Sequence, residues 1–226
     1  MRARSRQVSR TVAVVSHRYW PLFDLRLTTP DLELRVATEV DQMRLADVLP
    51  VDVEIDPRLP TYDLGDPRAS RGAATFQGYW RAFGSWRPES WAVPFVVIRG
   101  GELIGEQALE GDDFARLRTV DSFSLLVPEA RGKGYGKQMR DAVLAFAFGP
   151  LEAACAITSA WQDNHASLGV SSALGYLPNG ERRQRRGDGV DVMVHLRLTR
   201  EDWLARTDRP PVEITGFEPC RRLFGL

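Results

Sequence analysis

The chain holds 226 residues with 30 Lys+Arg against 30 Asp+Glu, a formal net charge of zero, so no basic excess marks it as a general nucleic-acid binder. With 43% hydrophobic and 27% charged residues it has the composition of a globular domain that can bury a core unaided, and intrinsic disorder is excluded. Two cysteines, Cys155 and Cys220, make neither a disulfide framework nor a metal site, and no apolar run approaches the roughly 20 residues of a membrane span.

Residues 1–16 are Arg-rich, and their apolar run is too short for a signal peptide. A basic extension over residues 1–19 and a cytoplasmic location are therefore expected. Residues 32–36 alternate apolar and polar, as a strand does. Residues 39–49 have helical spacing and stop at Pro50; residues 50–72, rich in Pro, Asp and Gly, read as a long loop. A helix over 73–83 carries Phe76, Tyr79, Trp80 and Phe83, with Trp80 expected in the core. Strands follow over 92–98 and 103–109, joined by Arg99-Gly-Gly-Glu, then a third over 119–127 stopped by Pro128. Met139, Ala142, Val143, Phe146 and Ala147 repeat on one face of a helix over 135–148, which Gly149-Pro150 ends. Residues 153–160 read as a buried strand with Cys155 an inert buried thiol, and Asn164 caps a helix running to Leu174 and closed by Gly175. Val190, Val192, Val194, Leu196 and Leu198 mark the last strand; Arg182, Arg183, Arg185 and Arg186 crowd the turn before it. The pattern is α/β, a mixed sheet with helices on its faces.

One segment carries chemistry. Arg131-Gly-Lys-Gly-Tyr-Gly-Lys lies between a strand and a helix start, where backbone amides and the helix dipole favour an anion. Glycines at 132, 134 and 136 let the backbone approach a phosphate, and both lysines of the chain, Lys133 and Lys137, fall here. The plainer reading is a glycine-rich turn with solvated charges. A Walker loop is excluded because position 131 is Arg and 138 is Gln, and the third glycine comes one residue early for a dinucleotide fingerprint.

What remains, Arg-x-x-Gly-x-Gly opening a helix, resembles the acyl-CoA pyrophosphate loop of the GNAT N-acyltransferases. Asp163-Asn-His-Ala-Ser, running on to Leu174-Gly-Tyr, resembles the second motif of that family. The resemblance covers roughly residues 32–198. It is closest to the branch similar to ribosomal-protein N-terminal acetyltransferases. The stretch from Gly134 through Met139-Arg-Asp and the flanks at Trp20 and Gly216-Phe217 resemble an actinobacterial group that includes a described succinyltransferase.

The resemblance implies a GNAT domain over residues 20–205, with a splayed sheet of about six or seven strands flanked by four helices, and a tail over 206–226 packing on the domain or a neighbouring subunit. It implies that the backbone of Ser124, Leu125, Leu126 and Val127 takes the pantetheine arm, with Leu125 or Leu126 N–H facing the thioester oxygen. Arg131, Gly132, Lys133, Gly134, Tyr135, Gly136 and Lys137 would hold the pyrophosphate, and Asn164 and Ser167 would reach the arm, although Asn164 also serves as a plain cap. Asp121 is the first choice of general base and Glu106 the second. Ser171 stands where the family often has a tyrosine that protonates the leaving thiolate, so Ser171 or water would act instead. Phe123 would narrow the tunnel, and Tyr62, Trp80, Trp86 and Trp91 lie near the acceptor region. No metal is implied.

The implied reaction moves an acetyl group from acetyl-CoA to a primary amine: a protein N-terminus, a lysine or a small molecule. The alternatives are succinyl-CoA as donor or, in another class, a non-catalytic acyl-CoA-binding module. A succinyl carboxylate would need an arginine or several donors near the thioester, for which Ser122, Ser124, Arg118 and Arg81 are candidates. A homodimer is common in the family; no nucleic-acid or membrane partner is expected.

Overall fold

In the computed structural model, which describes residues 17–50 and 61–226, the alternating segments form one sheet and the helically spaced ones cover its faces. The strands are β1 (Arg26–Thr28), β2 (Glu33–Val36), β3 (Trp91–Arg99), β4 (Glu102–Gly111), β5 (Thr119–Leu126), β6 (Cys155–Trp161), β7 (Leu177–Arg186), β8 (Gly189–Thr199) and β9 (Glu213–Thr215). The helices are α1 (Glu39–Val48), α2 (Pro67–Gly84), α3 (Phe114–Leu117), α4 (Tyr135–Phe148), α5 (His165–Ala173), α6 (Arg200–Ala205) and α7 (Phe217–Cys220). The sheet runs β7-β8-β6-β5-β4-β3-β2-β1-β9, antiparallel throughout except where β5 meets β6.

Strand alternation sorts the core into two layers. On β3, Val96 points into a cluster with Leu45, Leu49 and Tyr79 of the α1–α2 side. Its neighbours Phe95 and Val97 point the other way, into the larger core holding Met139, Val143 and Phe146 of α4. Phe217, Cys220 and Phe224 are buried in that same core, Trp86 Nε1 donates to Leu223 O at 2.8 Å, and β9 pairs with β1.

Gly105 sets how closely β4 approaches the end of β5. A Cβ built there would meet Leu125 O at 2.2 Å and Leu126 Cα at 3.1 Å, both backbone atoms. Gly105→Ala is expected to destabilise the fold by about 1–3 kcal/mol, the range for overpacking, as read by denaturant unfolding. A neutral result would mean that the two strands can separate freely at this point.

Several readings of the sequence need correction. The described residues contain nine strands and seven helices, more than the six or seven and four expected. Strands of three residues such as β1 and β9 are too short to show a period. The loop ends early because Asp66 caps α2, its side chain accepting from Ala69 N at 2.7 Å, with Pro67 in the first turn. Trp80 is 55% exposed rather than in the core: α2 turns Ala74 and Tyr79 inward, and Trp80 Nε1 donates to Glu39. Arg182, Arg183, Arg185 and Arg186 lie within β7 and not in a turn. Cys155 is half-buried rather than buried, and burial pushes its thiol pKa up. Residues 1–16 of the expected extension and 51–60 of the expected loop lie outside the described residues.

Candidate active site

β5 and β6 run parallel and are paired only from Thr119↔Cys155 to Asp121↔Ile157. Beyond that point they part, while β5 stays paired with β4 as far as Leu126. The last bond across the gap is Thr158 Oγ1 to Ser122 O at 3.4 Å. One edge of β5 is therefore free of strand pairing from about Ser124 to Leu126.

Backbone groups alternate sides along a strand, so the directions can be read. Leu125 O faces Gly105 on β4, whereas Leu126 O accepts from Arg131 Nε at 3.0 Å and Ser122 O accepts from the β6 side. Of the two candidate amides, Leu126 N–H belongs to the free edge and Leu125 N–H to β4. Val127 N is committed to Ile104 O at 3.0 Å.

That edge leads into the loop before α4. Gly132 (φ +71°) and Gly134 (φ +83°) adopt the left-handed conformation that glycine accepts without strain. Gly134 caps α4 without a side chain, and the first bond of the helix is Gln138 N to Gly134 O. Among the described residues, no acceptor takes the N–H groups from Gly132 to Lys137, so they form an amide cradle at a helix N-terminus. Arg131 and Lys133 are exposed beside it.

Lys137 is placed differently. Its Nζ lies 2.8 Å from Asp208 and 3.6 Å from Asp141, and Arg206 joins the same carboxylates. This network holds the Asp208 carboxyl well below its usual range, through Lys137 first and then Arg206. Lys133→Ala is accordingly expected to weaken CoA binding in a salt-dependent way, and Lys137→Ala to weaken it less, in titrations at low and high ionic strength. Equal losses would place Lys137 in the cradle.

On the opposite side, α2 and strands β3 to β5 enclose a cavity of about 500 Å³, lined among others by Gln42, Arg71, Tyr79, Glu106, Phe123 and Leu125. Glu106 stands opposite Leu125 in the β4–β5 register and projects from that wall. The residue is half-buried against the cavity, and desolvation pushes its carboxyl pKa up to about 7, against the downward pull of Arg71. A carboxylate with that pKa can hold or release a proton near neutrality.

The remaining candidates divide. Asp121 sits at the closed apex of the splay, its Oδ1 accepting from Ser122 N at 2.7 Å, and does not line the cavity. Asn164 Oδ1 caps α5 by accepting from Ser167 N at 3.0 Å. Ser171 is buried below the sheet and its hydroxyl donates to Ser167 O at 3.0 Å. Of the aromatics, Trp91 is among the cavity-lining residues and Trp86 packs on Phe224 of the tail; Tyr62 donates to Gln77. One residue was missed: Arg140, buried on α4 and bonded to Ser124 Oγ. The available clue was its spacing: Arg140 stands three and four residues before Val143 and Leu144, at the head of the helix's apolar run.

A family model described as an acetyltransferase (GNAT) domain matches residues 31–177. The chain belongs to the GNAT family. Solved structures share the fold at low identity. RimJ from Mycobacterium smegmatis, in complex with CoA-disulfide, superposes with a TM-score of 0.64 at 16% identity, covering 82% of this chain and 91% of that one. A ribosomal-protein-S5-alanine acetyltransferase from Vibrio fischeri gives 0.60 at 15%, covering 79% and 98%. A spermidine N-acetyltransferase chimera from Vibrio cholerae and hSSAT gives 0.60 at 14%, covering 78% and 99%. At these identities the likeness of these structures shows the GNAT fold alone. No helix among the described residues is long and apolar enough to cross a membrane, and no cluster there could hold a metal ion.

Proposed function

We propose that this GNAT protein is an acyl-CoA-dependent N-acyltransferase that moves a short acyl group, acetyl by default, directly to a primary amine. The observation that carries this reading is the continuity of three features: an amide cradle at α4, an unpaired β5 edge running from it, and a cavity beside that edge with a carboxylate poised near neutrality. The unsatisfied amides of Gly132 to Gly136, with Arg131 and Lys133, fit a pyrophosphate; the Ser124 and Leu126 edge groups fit an amide-bearing arm laid like an added strand. Acyl-CoA supplies the activated thioester that the amine displaces.

The chain's own part is to position and to move one proton. Leu126 N–H, at the free edge, donates to the thioester oxygen as it gains charge. The acceptor enters the cavity as an ammonium ion, and Glu106, directly or through one water, takes its proton so that the lone pair can attack. Glu106 therefore replaces Asp121 as the preferred base. Ser171 is already committed to Ser167 O, so the leaving sulfur draws its proton from water.

The test is incubation with acetyl-CoA and a panel of amines (peptide N-termini, lysine, polyamines) while free thiol is followed. Amine-dependent thiol release above background hydrolysis is expected. Tight CoA binding without turnover on any amine would overturn the enzyme reading and leave a binding module.

A further inference from the structure

Gln42 on α1 is only 3% exposed, and its Oε1 is buried without a hydrogen-bond partner. A buried carbonyl oxygen left without a donor carries the full cost of leaving water. Gln107, equally enclosed, shows how the fold satisfies such a group. Its Nε2 donates to Phe123 O at 2.8 Å, and its Oε1 accepts from Ser124 Oγ at 2.7 Å. Asp41, beside Gln42 in the chain, is likewise bonded to Arg35 and Thr38. Among the described residues, Gln42 Oε1 is the one buried side-chain carbonyl that lacks a donor.

The residue lines the cavity that also holds Glu106. Leu45, one turn on along the same side of α1, shares a core cluster with Val96 of β3, and Val96 stands opposite Glu106 in the β3–β4 register. Gln42 and Glu106 thus belong to facing layers of one cavity. Arg71 lines it too but does not reach the oxygen. The terminal amide of a glutamine turns readily about χ3, so Oε1 can meet a donor that enters there.

We infer that Gln42 Oε1 is a second hydrogen-bond acceptor for the attacking nitrogen, and that with Glu106 it selects primary amines over their N-methyl derivatives. This rests on the acyltransferase reading above and deepens it. The acceptor gives one proton to Glu106; Gln42 exchanges none. With its lone pair then aimed at the thioester carbon, a primary amine keeps two N–H bonds, one for each residue's oxygen. An N-methyl amine keeps one, so a buried oxygen stays unpaired and the methyl group takes the place of its donor.

The test compares kcat/KM for an accepted primary amine and its N-methyl derivative, with acetyl-CoA as donor. Wild type is expected to favour the primary amine at least about tenfold, and Gln42→Met to bring the two within about threefold. Gln42→Glu keeps an oxygen at the same reach and should retain the preference. Thermal unfolding supplies a readout independent of activity: Gln42→Met removes an unpaired buried carbonyl, so its Tm should equal or exceed that of wild type. A preference that survives Gln42→Met, or that wild type lacks, would overturn this inference alone. So would a Gln42→Met variant that melts below wild type or fails to fold, because the amide would then serve the fold. Absence of turnover by wild type on every amine would overturn the acyltransferase reading itself, and this inference with it.

Discussion

Glu106→Gln is expected to lower kcat/KM by roughly 10²–10⁴-fold with CoA affinity retained, because the amide keeps the shape of the cavity wall and loses only proton transfer. In the wild type, kcat/KM should rise with pH and level off above the Glu106 pKa of about 7; in the variant that inflection disappears. Stability should respond in the opposite sense. The fold raises this pKa from 4.5 to about 7, so it favours the protonated form, and the native chain holds more protons than the unfolded one between those values. The group's contribution is therefore best below about 4.5 and is lost as pH climbs through 7. Glu106→Gln should stabilise the protein at pH 8, by at most roughly 3 kcal/mol, with the gain vanishing near pH 4. An unchanged pH–rate profile in the variant would return Asp121 to first place as base.

Gly134→Val is expected to reduce CoA affinity by at least roughly 100-fold, about 2.7 kcal/mol. A Cβ built at Gly134 meets no atom within 4 Å, so the side chain enters open space that the proposed phosphate would fill. The positive φ of +83° imposes about 1–2 kcal/mol of strain on valine, which a protein of this size tolerates. Gly180→Val supplies the control: it too has positive φ (+99°) and open surroundings, but lies in β7. It should carry similar strain and leave CoA affinity unchanged. Comparable CoA losses in both variants would trace the effect to strain and remove the loop from the binding site.

What the sequence disclosed depended on how local the physics was. The bounds of α4 follow from an apolar stripe ended by Gly149-Pro150, and the β3–β4 hairpin follows from two alternating runs around Gly100-Gly101, because each element contains its own cause. β7 was hidden, since its sequence LPNGERRQRR has no apolar face; it is held by hydrogen bonding to β8 and stays exposed along most of its length. The start of α2 was legible in Asp66-Pro67 as a cap, but the same residue types also compose loops.

The site divides along the same line. The phosphate cradle is a contiguous string and could be read as one. Ranking Glu106 above Asp121 required knowing which carboxylate the β4–β5 register turns toward the cavity and how far burial shifts it. Arg140 carries no motif of its own; its hydrogen-bond partners Ser124 and Ser171 are distant in sequence.

A crystal structure with CoA tests the central claim most directly. The account predicts the pyrophosphate on the Gly132–Gly136 amides, the arm along Ser124 and Leu126 with Leu126 N–H donating to it, and the sulfur at the mouth of the Glu106 cavity. CoA bound elsewhere, or an arm that leaves the β5 edge with its sulfur pointing away from Glu106, would contradict it.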